Sequence, residues 1–272
     1  MHTAVDNGIN FIDVSPYYGH YKAETVLGKA LKEIPRDKYY LSTKVGRYGK
    51  DGVNTWDYSA KRVTDSVYES MERLNIDYID LINVHDVEFA DLNQIVNETL
   101  PALVALRDKG VVGHVGITDL QPENLKWVIE HVPAGTVESV LNFCHYSLND
   151  EMLLDYLDFF EANGVGVVNA SPFSMGLLSR RGAPAWHPAP ESLKQAYRRA
   201  AEHCEARNYP IEKLAVQYST SNPRIATTLF SSANPDNVLK NIGYVNETMD
   251  SELVKEVQEI IGDQMRVRWA NT

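Results

Sequence analysis

The chain has 272 residues, of which 44% are hydrophobic and 23% are charged, and its formal net charge is −11. The negative charge opposes binding to nucleic acid and to anionic membranes, and no apolar run approaches the roughly 18 residues of a membrane-spanning helix. The two cysteines, Cys144 and Cys204, form no CxxC or Cys/His pattern, so we expect no disulfide framework, no metal site and a cytoplasmic location.

Seven short apolar runs alternate with helical patterns along the whole chain. Each run is apolar on both faces, or nearly so, which is typical of a buried strand in a parallel sheet. The predicted strands are INFID (9–13), YYLSTKV (39–45), YIDLINVH (78–85), VGHVGI (112–117), SVLNF (139–143), VGVVNA (165–170) and IATTLFS (225–231).

The segments between the strands have the apolar spacing of amphipathic helices. Asn149-Asp150 and Pro122 mark helix starts, and Gly110 and Gly164 follow helix ends. A regular strand and helix alternation predicts parallel strands joined by right-handed crossovers. An open doubly wound sheet is an alternative, but no G-x-G-x-x-G follows the first strand, which favours a (β/α)8 TIM-type barrel in one domain over 1–272. The helical segments are 23–34, 59–74, 92–110, 122–132, 149–164 and a pair within 191–220.

The remaining strand of an eight-stranded barrel is expected ahead of residue 1. The chain begins with HTAVDNG, which is typical of the end of a helix with Gly8 as its cap. We therefore expect a first strand and most of a first helix to precede this chain. Residues 1–272 alone are then expected to fold poorly or to be weakly active, because two strand edges would stay unpaired.

Four ionisable side chains follow the first three predicted strands. Asp13 ends the first strand, Lys44 lies near the end of the second, His85 ends the third, and Tyr18 lies in the loop after Asp13. In barrels the loops after the strands build the active site, so these side chains are expected to converge. Taken alone, Asp13 could form a turn, Lys44 could extend to solvent, and His85 and Tyr18 could be ordinary loop residues at the rim. Taken together, the four residues predict a catalytic site.

The four residues fit a proton-transfer site built on a phenol. A phenol has an unperturbed pKa of about 10, so it needs a nearby cation to act as an acid or base near neutral pH. We expect Lys44 to lower the pKa of Tyr18 and Asp13 to balance the charge of Lys44. His85 is expected to donate a hydrogen bond to the reacting oxygen and to orient the substrate.

The motifs that carry these residues resemble those of a known family. DVSPYYG, STK and NVHD carry Asp13, Tyr18, Lys44 and His85, and they resemble the active-site motifs of the aldo-keto reductases in order and in strand position. The resemblance continues through GHVGITD, NASPFSMGLL and SSANPDNVLKN and covers essentially the whole chain. Within that family, LINVHDVEF, FCHYSLND, PAWHPA and LAVQYS are similar to members that oxidise L-galactose.

The resemblance implies an NAD(P)-dependent oxidoreductase that oxidises C1 of an aldose. Tyr18 would take the proton of the anomeric hydroxyl while a hydride passes to the nicotinamide, so L-galactose would give its 1,4-lactone in carbohydrate metabolism and ascorbate biosynthesis. Ala170 stands where many relatives place an aromatic ring on the nicotinamide, so that stacking is expected to be absent. The resemblance implies cofactor contacts with Thr118, Asp119, Asn142, Ser171, Phe173 and Met175, and substrate contacts with Tyr17, Trp56 and His85.

The choice of dinucleotide is expected to follow from charge. Family members that prefer NADP offer a Lys and an Arg after the last strand, which suit the additional phosphate. The matching positions here are Ser231 and Asn237, with Ser232 and Asn241 in the same motif and Lys240 nearby. NAD is therefore expected as the cofactor in preference to NADP.

Other functions stay open on the sequence alone. A metal-dependent barrel hydrolase would need clustered His and carboxylate residues, but no H-x-H follows a strand and Lys44 occupies a ligand position. The same motifs are compatible with another aldose dehydrogenase, a carbonyl reductase of the family, or a truncated barrel that binds a nucleotide without turnover. The aldose would be selected by loops 46–58 and 177–190, which carry Trp56 and Trp186. Nothing in the sequence indicates the oligomeric state.

Overall fold

The computed structural model of the chain describes residues 1–49 and 55–269. By internal packing the chain forms two compact units, of which unit 1 contains residues 1–141 and 159–166 and unit 2 contains residues 142–158 and 167–272. Both units are built from parallel strands and the helices that follow them. The single domain over 1–272 and the strand ahead of residue 1 stay predictions.

Unit 1 is built on parallel strands at the positions expected from the apolar runs. They are β1 (Phe11–Asp13), β2 (Tyr40–Val45), β3 (Ile79–Val84), β4 (Val112–Asp119) and the first three residues of β5 (Ser139–Phe143). The strands pair in chain order, with Asp13 opposite Ser42 and Lys44 opposite Asn83. Nearly every residue of β3 is buried, as expected for a strand covered on both faces. The register therefore brings the polar ends of β1, β2 and β3 to one edge of the sheet.

The helices of unit 1 match the predicted segments, with one irregularity. They are α1 (His2–Asp6), α2 (Lys22–Leu31), α3 (Ala60–Leu74), α4 (Leu92–Gln94), α5 (Leu100–Asp108) and α6 (Pro122–Glu130). A π-helical turn, Ile95–Thr99, separates α4 from α5 in the segment predicted as one helix. Pro101 has no amide hydrogen for the regular helical ladder, which explains an irregular turn at this point.

A buried charged group lies in the helical layer of unit 1. Glu24 on α2 is fully buried, accepts a hydrogen bond of 2.7 Å from Thr43 Oγ1, and pairs with Arg73 Nε at 2.6 Å. Helices α2 and α3 approach closely at Gly28, where a Cβ atom would lie 2.2 Å from the carbonyl oxygen of Arg73. Removal of Arg73 would leave the Glu24 carboxylate buried and unpaired, which costs about 3–5 kcal/mol in comparable cases.

Unit 2 contains the last strands and most of the last helices. It includes the end of β5, β6 (Gly166–Ala170) from its second residue, and β7 (Thr227–Leu229), which pairs with β6 in parallel. Helix α7 (Leu154–Ala162) belongs to it up to Asp158. Its other helices are α8 (Glu191–Ala206), α9 (Ile211–Ser219), α10 (Pro235–Asn246) and α11 (Ser251–Ile261).

The helix predicted from residue 149 begins five residues later, at Leu154. The backbones of Ser147 and Asp150 bond to each other in both directions, which closes a turn. The Asp150 carboxylate pairs with His145 Nδ1 at 2.9 Å and accepts the Met152 amide at 2.8 Å. Asp150 therefore uses its hydrogen-bonding groups to close a turn and not to start a helix. The prediction of a helix start at Asn149-Asp150 is wrong.

The fold class expected from the sequence is confirmed. The strands follow one another in chain order and a helix or helical segment comes after each of them, which is the arrangement of a (β/α)8 TIM-type fold. Helix α11 is an element that the sequence pattern did not reveal. None of the helices within residues 1–49 and 55–269 is long and apolar enough to cross a bilayer.

Candidate active site

Lys44 and Asp13 form a buried ion pair at the ends of β2 and β1. Lys44 Nζ contacts Asp13 Oδ1 and donates to the carbonyl oxygen of Val14 at 3.0 Å, and its side chain is 2% exposed. The Ser42 hydroxyl donates to the other oxygen of Asp13 at 2.8 Å. Burial, the largest single effect, lowers the pKa of Lys44, but the charges and hydrogen bonds of Asp13 and Tyr18 together outweigh it and raise the pKa, so Lys44 stays protonated. Asp13 therefore pairs with the lysine and does not cap a helix.

Tyr18 lies directly beside this ion pair. The centroid of its ring is 4.9 Å from Lys44 Nζ, and its hydroxyl interacts with that ammonium. The residue is 40% exposed, while its hydroxyl end faces the buried pair. Burial of the hydroxyl raises the pKa of Tyr18, Lys44 lowers it, and the net direction is upward. The expectation of a lowered pKa is therefore wrong for the protein alone, because desolvation of the phenolate exceeds the attraction of one ammonium.

His85 is held as a neutral side chain at the end of β3. It is 4% exposed, and burial lowers its pKa well below the usual value, with the charges of Lys44 and Arg47 acting in the same direction. Its ring packs edge to face against Tyr18, with centroids 5.7 Å apart, and against Tyr17 at 6.2 Å. A neutral imidazole carries one hydrogen, so the position of that hydrogen decides whether His85 can donate to a substrate.

Ser15 and Asp86 flank the two ring nitrogens of His85 and together favour one position for its hydrogen. The Ser15 hydroxyl oxygen lies 3.1 Å from His85 Nδ1 and accepts the amide hydrogen of Tyr17, also at 3.1 Å. A hydroxyl can donate to Nδ1 or accept from it, but the Asp86 carboxylate, whose Oδ2 lies 3.5 Å from Nε2, can only accept. The carboxylate therefore favours the hydrogen on Nε2, with the Ser15 hydroxyl donating to Nδ1. The unbonded side of His85 is therefore a donor.

An ion pair that the sequence analysis did not predict lies next to His85. Arg47, in the loop after β2, donates from Nη1 to Asp86 Oδ2 at 2.6 Å. Asp86 is held by Thr118, whose hydroxyl accepts the Asp86 amide at 2.8 Å and donates to Oδ1 at 3.2 Å. The Tyr58 hydroxyl donates to the carbonyl oxygens of His85 and Asp86, at 2.8 Å and 3.0 Å. The HD dipeptide after a strand was the available signal for Asp86, but no spacing rule pairs it with Arg47.

Aromatic rings enclose the Arg47 guanidinium. Its Cζ lies 3.7 Å from the centroid of Tyr17, 4.5 Å from that of Trp56 and 5.6 Å from that of Phe89. Trp56 stacks on Phe89 with centroids 4.3 Å apart. The structure thus places Tyr17 and Trp56, two of the three predicted substrate residues, against the same cation. Residues 50–54 of the predicted specificity loop 46–58 lie outside the described residues.

The predicted cofactor residues on β4 are committed to protein contacts. The Thr118 hydroxyl gives its hydrogen to Asp86, so it has only acceptor capacity left for a ligand. Asp119 accepts the amide of Gln121 at 2.6 Å and the side chain of Asn124 at 2.9 Å, at the start of α6. Burial raises the pKa of Asp119 to about 9, and the nearby Glu88 adds to this. The side chain of Asp119 thus points at the start of α6, and a nicotinamide contact would have to share its oxygens.

Unit 2 carries the remaining predicted cofactor residues. Asn142 is buried on β5. In the loop after β6, Ser171, Ser174 and Met175 have positive φ angles of 61°, 44° and 55°, and Phe173 accepts the amides of Gly176 and Leu178. The Ser174 amide likewise donates to the carbonyl oxygen of Ser171, so the loop is held by its own backbone hydrogen bonds. Ala170 ends β6, and Trp186 in loop 177–190 is 66% exposed.

The segment after β7 leads into the N-terminus of α10. Asn234 caps this helix through the Asp236 amide at 2.9 Å, and Ser232 bonds to the backbone of Asn234. Ser231 and Asn237 are exposed, whereas Asn241 is buried. The amides of Asp236, Asn237 and Val238 are all bonded to Asn234, so the helix start offers an anion its dipole and not free amides. The segment after β7 and the loop after β6 are the two parts of unit 2 to which the resemblance assigns the dinucleotide.

No metal site accompanies these residues in the part of the chain that the structure describes. Within residues 1–49 and 55–269, no three His, Cys, Asp or Glu side chains are grouped so that they could hold a metal ion. Lys44, which stands where the hydrolase alternative would need a metal ligand, is paired with Asp13.

Known proteins similar to this chain share one family. The sequence profile of the Aldo/keto reductase family matches residues 1–262. The chain is 44% identical to L-galactose dehydrogenase of Arabidopsis thaliana over 268 residues, which is 96% of this chain and 83% of that protein. It is 36% identical to D-arabinose 1-dehydrogenase of Saccharomyces cerevisiae over 229 residues, 80% of this chain and 67% of that protein. The holo structure of an aldo-keto reductase from Bacillus halodurans superposes with a TM-score of 0.79 at 26% identity, covering 98% of this chain and 86% of that one.

Proposed function

Because this chain belongs to the aldo/keto reductase family, we propose that it is an aldose dehydrogenase that oxidises C1 of a sugar, L-galactose above others, to the lactone. The observation that carries the proposal is the contact of Tyr18 with the buried Lys44 and with the His85 ring. The two relatives named above as sugar dehydrogenases support an aldose as the substrate. Aldo-keto reductases are nicotinamide-dependent oxidoreductases, and a bound nicotinamide would supply the hydride acceptor.

The residues of the site divide the proton chemistry among them. Tyr18 accepts the proton of the anomeric hydroxyl, and Lys44 stabilises its phenolate form. Asp13 keeps the lysine charged and fixed in place. His85 donates its Nε2 hydrogen to the same substrate oxygen and holds it toward Tyr18, because Ser15 occupies Nδ1. In the reverse direction, Tyr18 starts protonated and acts as the acid.

NAD is the proposed cofactor, with NADP as the less favoured one. Ser231 and Asn237 offer no positive charge to a 2′-phosphate, and Asp236 places a carboxylate in the first turn of α10. A carboxylate there repels a group of charge near −2. Lys240, one turn further along α10, is the nearest basic residue of the motif. A cytoplasmic location and a place in ascorbate biosynthesis remain predictions.

A panel of aldoses assayed with NAD and with NADP tests the proposal. We expect reduced nicotinamide to form with L-galactose and NAD, and the sugar product to be the lactone by mass spectrometry. Tyr18→Phe supplies the blank, because it keeps the ring and removes the hydroxyl. Formation of reduced nicotinamide with none of the aldoses, or at an equal rate in Tyr18→Phe, would overturn the proposal, and a lower KM for NADP would overturn the choice of cofactor.

A further inference from the structure

Arg47 and Asp86 form a buried ion pair, although burying such a pair contributes little net stability to a fold. The side chains are 13% and 6% exposed, and the guanidinium and carboxylate approach to 2.6 Å. Desolvation of two charges is expensive, and well-packed apolar residues in place of a buried ion pair are often neutral or stabilising. Burial raises the pKa of Asp86, and Arg47 opposes that effect. A charged pair at this position therefore calls for a role besides holding the fold.

The carboxylate lies where a substrate bound by His85 would meet it. Asp86 Oδ2 is 3.5 Å from His85 Nε2, the nitrogen that carries the donor hydrogen. A substrate oxygen that hydrogen-bonds to Nε2 is therefore close to the carboxylate. In an aldose, the carbon next to the reacting carbon carries a hydroxyl group, whereas in a simple aldehyde it carries none. Asp86 is thus placed to distinguish these two classes.

Both partners of the ion pair keep hydrogen-bonding capacity for a ligand. Asp86 accepts one bond from Thr118 on Oδ1 and one from Arg47 on Oδ2, whereas a carboxylate offers about four acceptor positions. Within the residues that the structure describes, Arg47 Nε is a buried donor that has no hydrogen-bond partner. The pair can therefore take hydroxyl groups as donors and as acceptors without giving up its internal bond.

The surroundings fix the pair in position and supply an apolar wall. The guanidinium lies against Tyr17 and Trp56, at 3.7 Å and 4.5 Å from the ring centroids. Cation–π contacts of this kind hold a charge at little cost in hydrogen-bonding capacity. The same rings offer flat apolar surface to the C–H face of a sugar. The Tyr58 hydroxyl donates to the carbonyl oxygen of Asp86 and holds its backbone in place.

We propose that Asp86, held in place by Arg47, is a hydroxyl-binding subsite that selects polyhydroxylated substrates over simple aldehydes of the same length. This inference rests on the proposed function and names the part of the site that determines its substrate class. It adds Arg47 and Asp86 to Tyr17 and Trp56, the residues that the sequence assigned to the substrate.

Reduction of two three-carbon aldehydes with NADH separates the hydroxyl contacts from the reaction itself. Glyceraldehyde carries two hydroxyl groups and propanal none, while the reacting group is the same. In Asp86→Asn, we expect kcat/KM for glyceraldehyde and for oxidation of the aldose to fall about 10- to 100-fold, the range of a hydrogen bond to a charged group. For propanal we expect a change of less than about threefold. An equal fall for both aldehydes, or no fall for either, would overturn the inference.

Two further variants keep the test decisive. Arg47→Gln removes the guanidinium but leaves Asp86, and it should lower the ratio of glyceraldehyde to propanal efficiency in the same direction, even if Asp86→Asn fails to fold. Glu69→Gln removes one side of the exposed ion pair with Arg62 on α3 and should leave the ratio unchanged. NADH binding, measured by fluorescence, checks that the variants retain the cofactor. Failure of wild-type protein to oxidise any aldose would count against the proposed function, whereas aldose oxidation with an unchanged ratio in both variants would count against this subsite alone.

Discussion

Ser15 Oγ lies 3.1 Å from Nδ1 of His85, while Nε2 of the same ring lies 3.5 Å from the Asp86 carboxylate. Since a carboxylate only accepts, Asp86 favours the hydrogen on Nε2, and the Ser15 hydroxyl then donates to Nδ1 while it accepts the Tyr17 amide. Ser15 is fully buried and touches no reacting atom, so it acts on the reaction through His85. The first prediction concerns this pair.

Replacement of Ser15 by Ala removes the hydrogen-bond partner of Nδ1 and should allow His85 to adopt both neutral tautomers. We expect kcat for aldose oxidation to fall about tenfold, about 1.4 kcal/mol, with little change in the KM for NAD. Nitrogen NMR of the imidazole should show the hydrogen on Nε2 in the wild type and a mixture of tautomers in the variant. Ser66→Ala, which alters another fully buried serine on α3, is the matched control and should leave both readouts unchanged. A single Nε2–H tautomer in Ser15→Ala would contradict the assignment.

The raised pKa of Tyr18 predicts an alkaline optimum for oxidation. Oxidation needs the phenolate as base, and a phenol whose pKa lies above about 10 is almost wholly protonated at neutral pH. The oxidation kcat/KM should therefore rise about tenfold per pH unit between about pH 7 and pH 9, while reduction, which uses the protonated phenol, stays level. Initial rates in both directions over that range test this. A plateau of the oxidation rate below about pH 8 would contradict the raised pKa of Tyr18.

Loss of Lys44 should destabilise the fold as well as the reaction. Lys44→Met leaves the Asp13 carboxylate, 9% exposed, without its cation, so we expect the free energy of unfolding to fall by about 3–5 kcal/mol. Urea unfolding measures this difference. The double variant Asp13→Leu/Lys44→Met removes both charges and should recover most of the stability, but none of the activity. Equal stability of the single and double variants would mean that Asp13 is not held by Lys44.

Positive charge at the start of α10 should shift the cofactor preference. In Ser231→Lys/Asn237→Arg, we expect the ratio of kcat/KM for NADP to that for NAD to rise at least about tenfold, because an Arg and a Lys can bind the additional phosphate. Asn246→Arg introduces a charge at the other end of the same helix and serves as the control. If the control shifts the ratio as far as the double variant does, net charge and not local contact would be responsible.

The sequence predicted the fold and the strand ends at which the candidate catalytic side chains lie, because both follow from local patterns. A strand buried on both faces is visible as an apolar run, and Asp13, Lys44 and His85 stand where such runs end. Long-range contacts have no such signal. The pairing of Arg47 with Asp86, 39 residues apart, depends on the register of β2 with β3.

Two predictions were wrong, the lowered pKa of Tyr18 and the helix start at Asn149-Asp150, and tertiary contacts explain both. The pKa of Tyr18 depends on desolvation against the attraction of Lys44, and the depth of burial of the hydroxyl cannot be judged from sequence spacing. No helix starts at Asn149-Asp150, because Asp150 lies in a turn and its carboxylate pairs with His145. In both cases the residue types were interpreted correctly for an isolated segment, and tertiary contacts reversed the result.

Asp86 joins two elements through one carboxylate, because it accepts from Arg47 after β2 and from Thr118 on β4. Mutagenesis libraries that aim at a new sugar should therefore leave position 86 fixed, since a residue there without an acceptor for Thr118 would disturb the end of β4. Diversity is better introduced at Tyr17, Trp56 and Phe89, whose rings lie against the Arg47 guanidinium. The structure thus separates positions that line the guanidinium from one whose carboxylate also supports the end of a neighbouring strand.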